Sequence, residues 1–218
     1  MENELNELDD LDDLDLEHSD LWKTLKKIRK YEQKIRTAII SVAISLESEI
    51  EQIIAWHFCQ DESKHLLFLS LMFNDGQVTL SQKIVILRKL FRESYPDLYQ
   101  QFSGIFSQLD KIRELRNKLA HSQHTIPELR IGKKIEKPQK GIHLEYYKNG
   151  KSVSEFISLQ TVEEISHKAR VYPELLFYIR EEIKSRIQGK RNANLRYAVD
   201  SLNRMNPNIL PVQKTNKS

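Results

Sequence analysis

Two arginines, an asparagine, a lysine and a histidine crowd into the run Arg113-Glu114-Leu115-Arg116-Asn117-Lys118-Leu119-Ala120-His121-Ser122. Imidazole titrates close to neutrality, so His121 is suited to take the proton from a ribose 2′-hydroxyl or to protonate a leaving 5′-oxygen. A guanidinium presents forked donors to charge that builds on phosphoryl oxygens, and the Asn117 amide can orient either group. Together these residue types fit cleavage of RNA by its own 2′-hydroxyl. The reaction needs no metal, and DNA lacks the nucleophile.

Spacing sharpens the requirement. On a helix, Arg113, Asn117 and His121 lie at i, i+4 and i+8 on one face, and His124 follows only if the helix continues. Arg116 is five residues before His121, about 140° away around the axis. Either the long arginine side chain swings round into the cleft, or two copies of the helix meet across a two-fold axis and complete each other's sites. The Arg-x4-His spacing alone carries little information. The Asn directly after the Arg and the place at the end of an apolar helix carry most of it. The competing structural reading is that these basic groups simply complement the negative end of a helix dipole.

The elements that must position this run are helical. Neither glycine nor proline occurs before Gly76, and apolar residues from Trp22 to Ile54 keep a 3.6-residue rhythm. This predicts one very long helix from Leu21 to about Cys59, or two joined near Gln33–Thr37, with Ser19 or Asp20 as its cap. A short apolar helix follows over Lys64–Phe73. Thr79 and Gln82 have the form of a capping box opening a helix that ends near Phe91. Pro96 starts the helix that carries Arg113–His121, mildly interrupted at Gly104. Two β-rich runs, Ile142–Lys148 and Lys151–Leu159, flank Asn149-Gly150 and predict a hairpin. Thr161–Glu164 should then cap a last long helix to Ile187, kinked at Pro173. The expected organisation is an acidic, disordered tail over 1–20, a helical domain over 21–188, and a basic, polar tail over 189–218 with a possible short helix at Leu195–Leu202.

Charge divides along the same lines. Residues 1–20 hold ten acids and no Lys or Arg, so the rest of the chain carries all 34 basic side chains against 21 acids, a net of +13. A body that basic suits a phosphate-bearing partner, and the acidic tail either solubilises the chain or competes for the basic surface. Cys59 is the one cysteine, which excludes an internal disulfide and is expected to be buried. The apolar runs are too short to span a bilayer and no secretory signal is apparent, so a cytoplasmic protein without a membrane partner is expected.

The segment Arg116-Asn117-Lys118-Leu119-Ala120-His121 resembles the Arg-x4–6-His signature of HEPN domains (higher eukaryotes and prokaryotes nucleotide-binding), whose commonest form is Arg-Asn, three residues, His. The resemblance spans about residues 35–188, with only the six-residue motif specific. It implies a mainly all-α, up-and-down helical bundle, here with one inserted β-hairpin, that forms a homodimer by apposing the motif helices. It also implies a metal-independent endoribonuclease with no cofactor, of the kind found in toxin–antitoxin pairs, abortive-infection proteins and CRISPR effectors. Arg116 and His121 would carry catalysis and Asn117 would support them, with RNA as substrate and an antitoxin or regulatory protein as a further partner. Some members of the family bind nucleotide or RNA, or act as assembly modules, without cleaving, and this is the alternative function.

Beyond the motif, Arg113, Lys118, His124 and Tyr147 are candidate RNA contacts, with Tyr147 as a stacking platform on the hairpin. The Lys133–Lys140 loop and Lys190-Arg191 are candidate phosphate contacts. Glu47, Glu49 and Glu51 read as a solvated helix face. His57 reads as a core-edge or capping histidine, and His65, His143 and His167 show no ligand spacing.

Overall fold

The computed structural model describes residues 16–74, 76–124, 141–148, 150–190 and 194–205. In chain order the elements are α1 (Leu16–Phe58), α2 (Glu62–Phe73), α3 (Leu80–Ser94), α4 (Pro96–His121), β1 (Gln123–His124), β2 (Gly141–Lys148), β3 (Lys151–Ser158), α5 (Leu159–Ile187) and α6 (Asn194–Met205). The fold is mainly helical, with one small antiparallel sheet ordered β1-β2-β3.

The uninterrupted apolar rhythm produces one helix, not two: α1 runs 43 residues without a break. It starts at Leu16, five residues earlier than expected, inside the stretch read as tail. Ile39, Leu46, Ile50 and Ile53 on α1 are fully buried, and α1 packs against α2, α3, α4 and α5. Its acidic residues are not solvated as expected. Lys83 of α3 is buried and its Nζ donates to both Glu47 and Glu51, and Arg180 of α5 donates to Glu49 at 3.0 Å. An ammonium out of water is stable only when so paired, so the acids set the side of α1 on which α3 and α5 settle.

Cross-contacts fix the helix directions. Ile35 clusters with Val162, and Glu49 pairs with Arg180, so α5 runs parallel to α1. Arg186 near the end of α5 grips Asp97 at the start of α4, and His57 near the end of α1 bonds Tyr95. Helix α4 is therefore antiparallel to both, and its C-terminal end lies beside Arg36 in the middle of α1.

The Thr79–Gln82 capping box forms: the Thr79 N–H donates to Gln82 Oε1 at 2.8 Å and the Gln82 N–H to Thr79 Oγ1 at 3.3 Å. Helix α3 extends to Ser94, slightly past its expected end. The interruption in α4 falls at Phe102 (φ −118°, ψ 15°), not at Gly104. Phe102 is fully buried, so packing, not glycine flexibility, bends the backbone there. The hairpin pairs Gly141 with Ser158 through Lys148 with Lys151, and Gly150 sits at φ 74°, a conformation that favours glycine. Leu159 belongs to α5 and not to the strand. Ser158, not Thr161, caps α5 by accepting from the Thr161 N–H, and α5 stays helical through Pro173. Helix α6 is longer than the short helix expected at Leu195–Leu202. Cys59 is half-buried, its thiol turned to the Asp61 carbonyl.

A main core fills the space between α1, α3, α4, α5 and α6. A second, smaller cluster gathers Ile35, Ile39, Leu115, Leu119, Leu144, Ile157 and Val162 under the sheet. This second cluster is the foundation of the motif.

Candidate functional site

Arg113–His121 forms the last two and a half turns of α4, and Ser122 is its C-cap. Its rear is pinned: Leu115 and Leu119 are buried in the smaller cluster, and Ser122, almost fully buried, gives its N–H to the Lys118 carbonyl at 2.9 Å. Arg36 of α1 closes the helix end, with Nη2 at 3.2 Å from Ser122 Oγ and 3.4 Å from its carbonyl oxygen. A guanidinium at a helix C-terminus also meets the negative end of the dipole. The front of the same turns faces solvent: Asn117, Ala120 and His121 are exposed and Arg116 partly so.

Arg116 turns toward the His121 side. Its Nη1 donates to Asn117 Oδ1 at 3.0 Å. Asn117 lies about 100° round the helix from Arg116 and His121 about 140°. The bond ties the guanidinium to the residue that lies on the His121 side of the helix. Asn117 and His121, four apart, share a face. The structure thus brings Arg116, Asn117 and His121 to one exposed surface.

The remaining candidates divide. Arg113 is tied into the bundle: it donates to Ser81 Oγ of α3 and lies 3.7 Å from Asp110 and 3.6 Å from Glu114. Lys118 spans to the sheet, with Nζ 2.8 Å from Glu155 Oε1, and Glu155 Oε2 accepts from the Tyr146 hydroxyl at 2.8 Å. Burial works against the Lys118 charge, but the bond to Glu155 and the nearby Glu155 and Glu114 carboxylates outweigh it and raise its pKa. His124 does not continue the helix face: α4 stops at His121, and His124 pairs with Leu144 in β1. Of the two hairpin tyrosines, Tyr146 packs on the smaller cluster and Tyr147 stands 78% exposed on the far side of the sheet. The Lys133–Lys140 loop and Arg191 lie outside the described residues.

Beside the His121 face, α4, β3 and the start of α5 enclose a groove of about 420 Å³. Leu115, Ile157, Glu155, Glu114 and Lys118 are among the residues that line it. Sequence reasoning missed Arg36, Glu114 and Glu155. Arg36 and Glu155 stand 86 and 37 residues from their partners, and nothing in local pattern announces such pairings.

Among the described residues, no group of three or more His, Cys, Asp or Glu is placed to hold a metal ion, and no helix is long and apolar enough to cross a membrane. No protein-family model matches the chain, and comparison with curated proteins and with solved structures finds no similar protein.

Proposed function

We propose that this protein is a metal-independent endoribonuclease, resembling HEPN ribonucleases, whose working unit is a homodimer with the ends of two α4 helices facing each other. The observation that carries the reading is the Arg116–Asn117 bond at 3.0 Å beside an exposed His121, on a helix end anchored from behind by Arg36 and the smaller cluster. One imidazole removes the 2′-hydroxyl proton as that oxygen attacks phosphorus. The 5′-oxygen leaves with a proton from the second copy's imidazole, giving a 2′,3′-cyclic phosphate and a free 5′-hydroxyl. The Arg116 guanidinium donates to the nonbridging oxygens, whose charge grows in the transition state. A two-fold axis supplies both histidines without demanding two roles of one ring, and Ala120, exposed between Arg116 and Asn117 around the helix, lets a second helix come close. A prokaryotic defence or toxin–antitoxin setting, with an antitoxin as regulator, follows from the resemblance.

The test is cleavage of labelled RNA in EDTA by the native chain beside His121→Ala and Arg116→Ala. Activity that survives the chelator and drops at least about a hundredfold in both variants supports the reading, since loss of a positioned acid–base group alone costs that much. RNA binding without cleavage over a broad panel replaces it with the silent binding module.

A further inference from the structure

We propose that the N-terminal half of α1 is an arm that tracks the phosphate backbone of single-stranded RNA leading to the cleavage face; this inference rests on the RNA reading of α4. Among the described elements, α1 packs on α2, α3, α4 and α5. The two that reach farthest toward its N-terminus stop near its middle. Helix α4 ends at His121, next to the Ser122 that Arg36 grips, and α5 begins at Leu159, three residues before the Val162 that clusters with Ile35. Residues 16–31 of α1 therefore run ahead of both, for about 24 Å at ~1.5 Å per residue.

Charge on this stretch is one-sided. Residues 21–36 hold seven Lys or Arg and a single acid, Glu32. Helix geometry sets Lys23, Lys26, Lys27, Lys30 and Lys34 on one stripe about 100° wide, and no other residue type falls on that stripe between them. Lys23, Lys26 and Lys30 are exposed. They stand about 120–180° round the helix from Ile35, on the side away from the core. Successive members are about one helical turn apart, ~5 Å along the axis, so neighbouring lysines meet neighbouring phosphates of an extended strand.

The stripe favours a polyanion over a protein. Protein interfaces are anchored by buried aromatic and aliphatic side chains, and this stripe has none. Lysine is a compact charge on a flexible stem, suited to phosphates of any sequence. Arg36 fixes where the arm begins, since its guanidinium closes the helix end from which His121 projects. A strand cut at His121 thus has charge to follow for ~20 Å, the axial distance from Arg36 to Lys23. Binding by the arm is blind to base identity and strongly dependent on salt.

The experiment measures binding of fluorescent oligouridylate and oligoadenylate with 2′-O-methyl riboses, which lack the nucleophile and cannot be cut, so affinity is read apart from catalysis. Lys26→Gln/Lys30→Gln in the full-length chain removes two exposed charges and keeps helix propensity. It should weaken both oligomers by about tenfold in 50 mM salt and lower the slope of log affinity against log salt by ~1.4, at ~0.7 per phosphate contact. Lys64→Gln/Lys89→Gln, on α2 and α3 with side chains 72% and 73% exposed, removes the same charge and should leave affinity within about twofold and the slope unchanged. An equal loss in that second pair, an unchanged slope in the first, or no binding of either oligomer overturns the proposal. So does an arm variant that keeps its RNA affinity but no longer binds poly-glutamate, which would make the stripe the seat of an acidic protein. Weakened binding by Lys26→Gln/Lys30→Gln in a chain that cuts no RNA leaves the arm standing and removes the nuclease; cleavage with binding untouched by that change does the reverse.

Discussion

Arg116 and His121 do not share a helix face, and Arg116 is bonded to Asn117, which shares a face with His121. Asn117 is therefore more than a spacer. Asn117→Leu keeps side-chain size but removes the acceptor, releasing the guanidinium to solvent. RNA cleavage should fall roughly tenfold to a hundredfold, the usual penalty for a misplaced catalytic group, with the loss in kcat and not in KM. Thermal unfolding should be nearly unchanged, because an exposed position carries little packing energy. Arg36 acts one step further back. It holds the Ser122 carbonyl and hydroxyl and so fixes the turn from which His121 projects. Arg36→Met should lower kcat while leaving RNA affinity within about twofold, and Arg36→Lys should restore only part, since an ammonium lacks the fork. Arg116, Asn117 and His121 were legible in the sequence because they are local to one helix. Arg36 was not, because helix rhythm says which residues share a face but not which distant side chain closes the end.

At the scale of elements, caps and turns were legible and long-range charge pairing was not. Thr79–Gln82 and Gly150 encode their geometry within four residues. The acids of α1 looked like a solvated face because their cations lie on α3 and α5. Removing Lys83 tests that correction. Lys83→Ala leaves Glu47 and Glu51 facing each other without their cation, and urea unfolding should report a loss of about 3 kcal/mol, as for other broken buried pairs. Helix α2 offers a second test. Its inner residue His65 is 5% exposed, bonds Gln52 Oε1 at 2.8 Å and lies against the Trp56 ring. Burial pushes its pKa below the ordinary 6.5, and Lys184 and Arg180 add to this against the Cys59 carbonyl and Glu62. His57 is shifted the same way by burial. A base with a lowered folded-state pKa stabilises the fold above its unfolded value and loses that contribution as pH falls. Unfolding free energy should therefore decline as pH drops from about 7 through 6.5 toward 5, and His65→Gln should flatten that slope in part, leaving the His57 share.

For the whole molecule, periodicity was enough to foresee a helical bundle with one hairpin, while the two-residue strand β1 and the parallel course of α1 and α5 were settled by contacts far apart in sequence. The arrangement puts the C-terminal end of α4 at the middle of α1, away from the α2 end, with Asn117, Ala120 and His121 exposed. In the proposed dimer, Ala120→Arg would place two like charges against each other across the two-fold axis. It should convert a dimer to a monomer in light scattering and abolish cleavage together, and a monomeric but active variant would remove the shared site. Charge supplies the last expectation. The chain after residue 20 carries +13, and residues 1–20 carry ten acids with no Lys or Arg. Opposite charges on one chain attract over the Debye length, ~10 Å at 0.1 M salt, so under the proposed RNA reading the acidic segment would compete with RNA phosphates for the basic surface. Deleting residues 1–15 should raise the association rate with RNA by about tenfold at 50 mM salt, within the span of electrostatic steering. The advantage should vanish near 0.5 M, where screening removes both the steering and the competition. A rate that is unchanged at low salt in stopped-flow fluorescence would mean that the acidic segment serves solubility and leaves the RNA face alone.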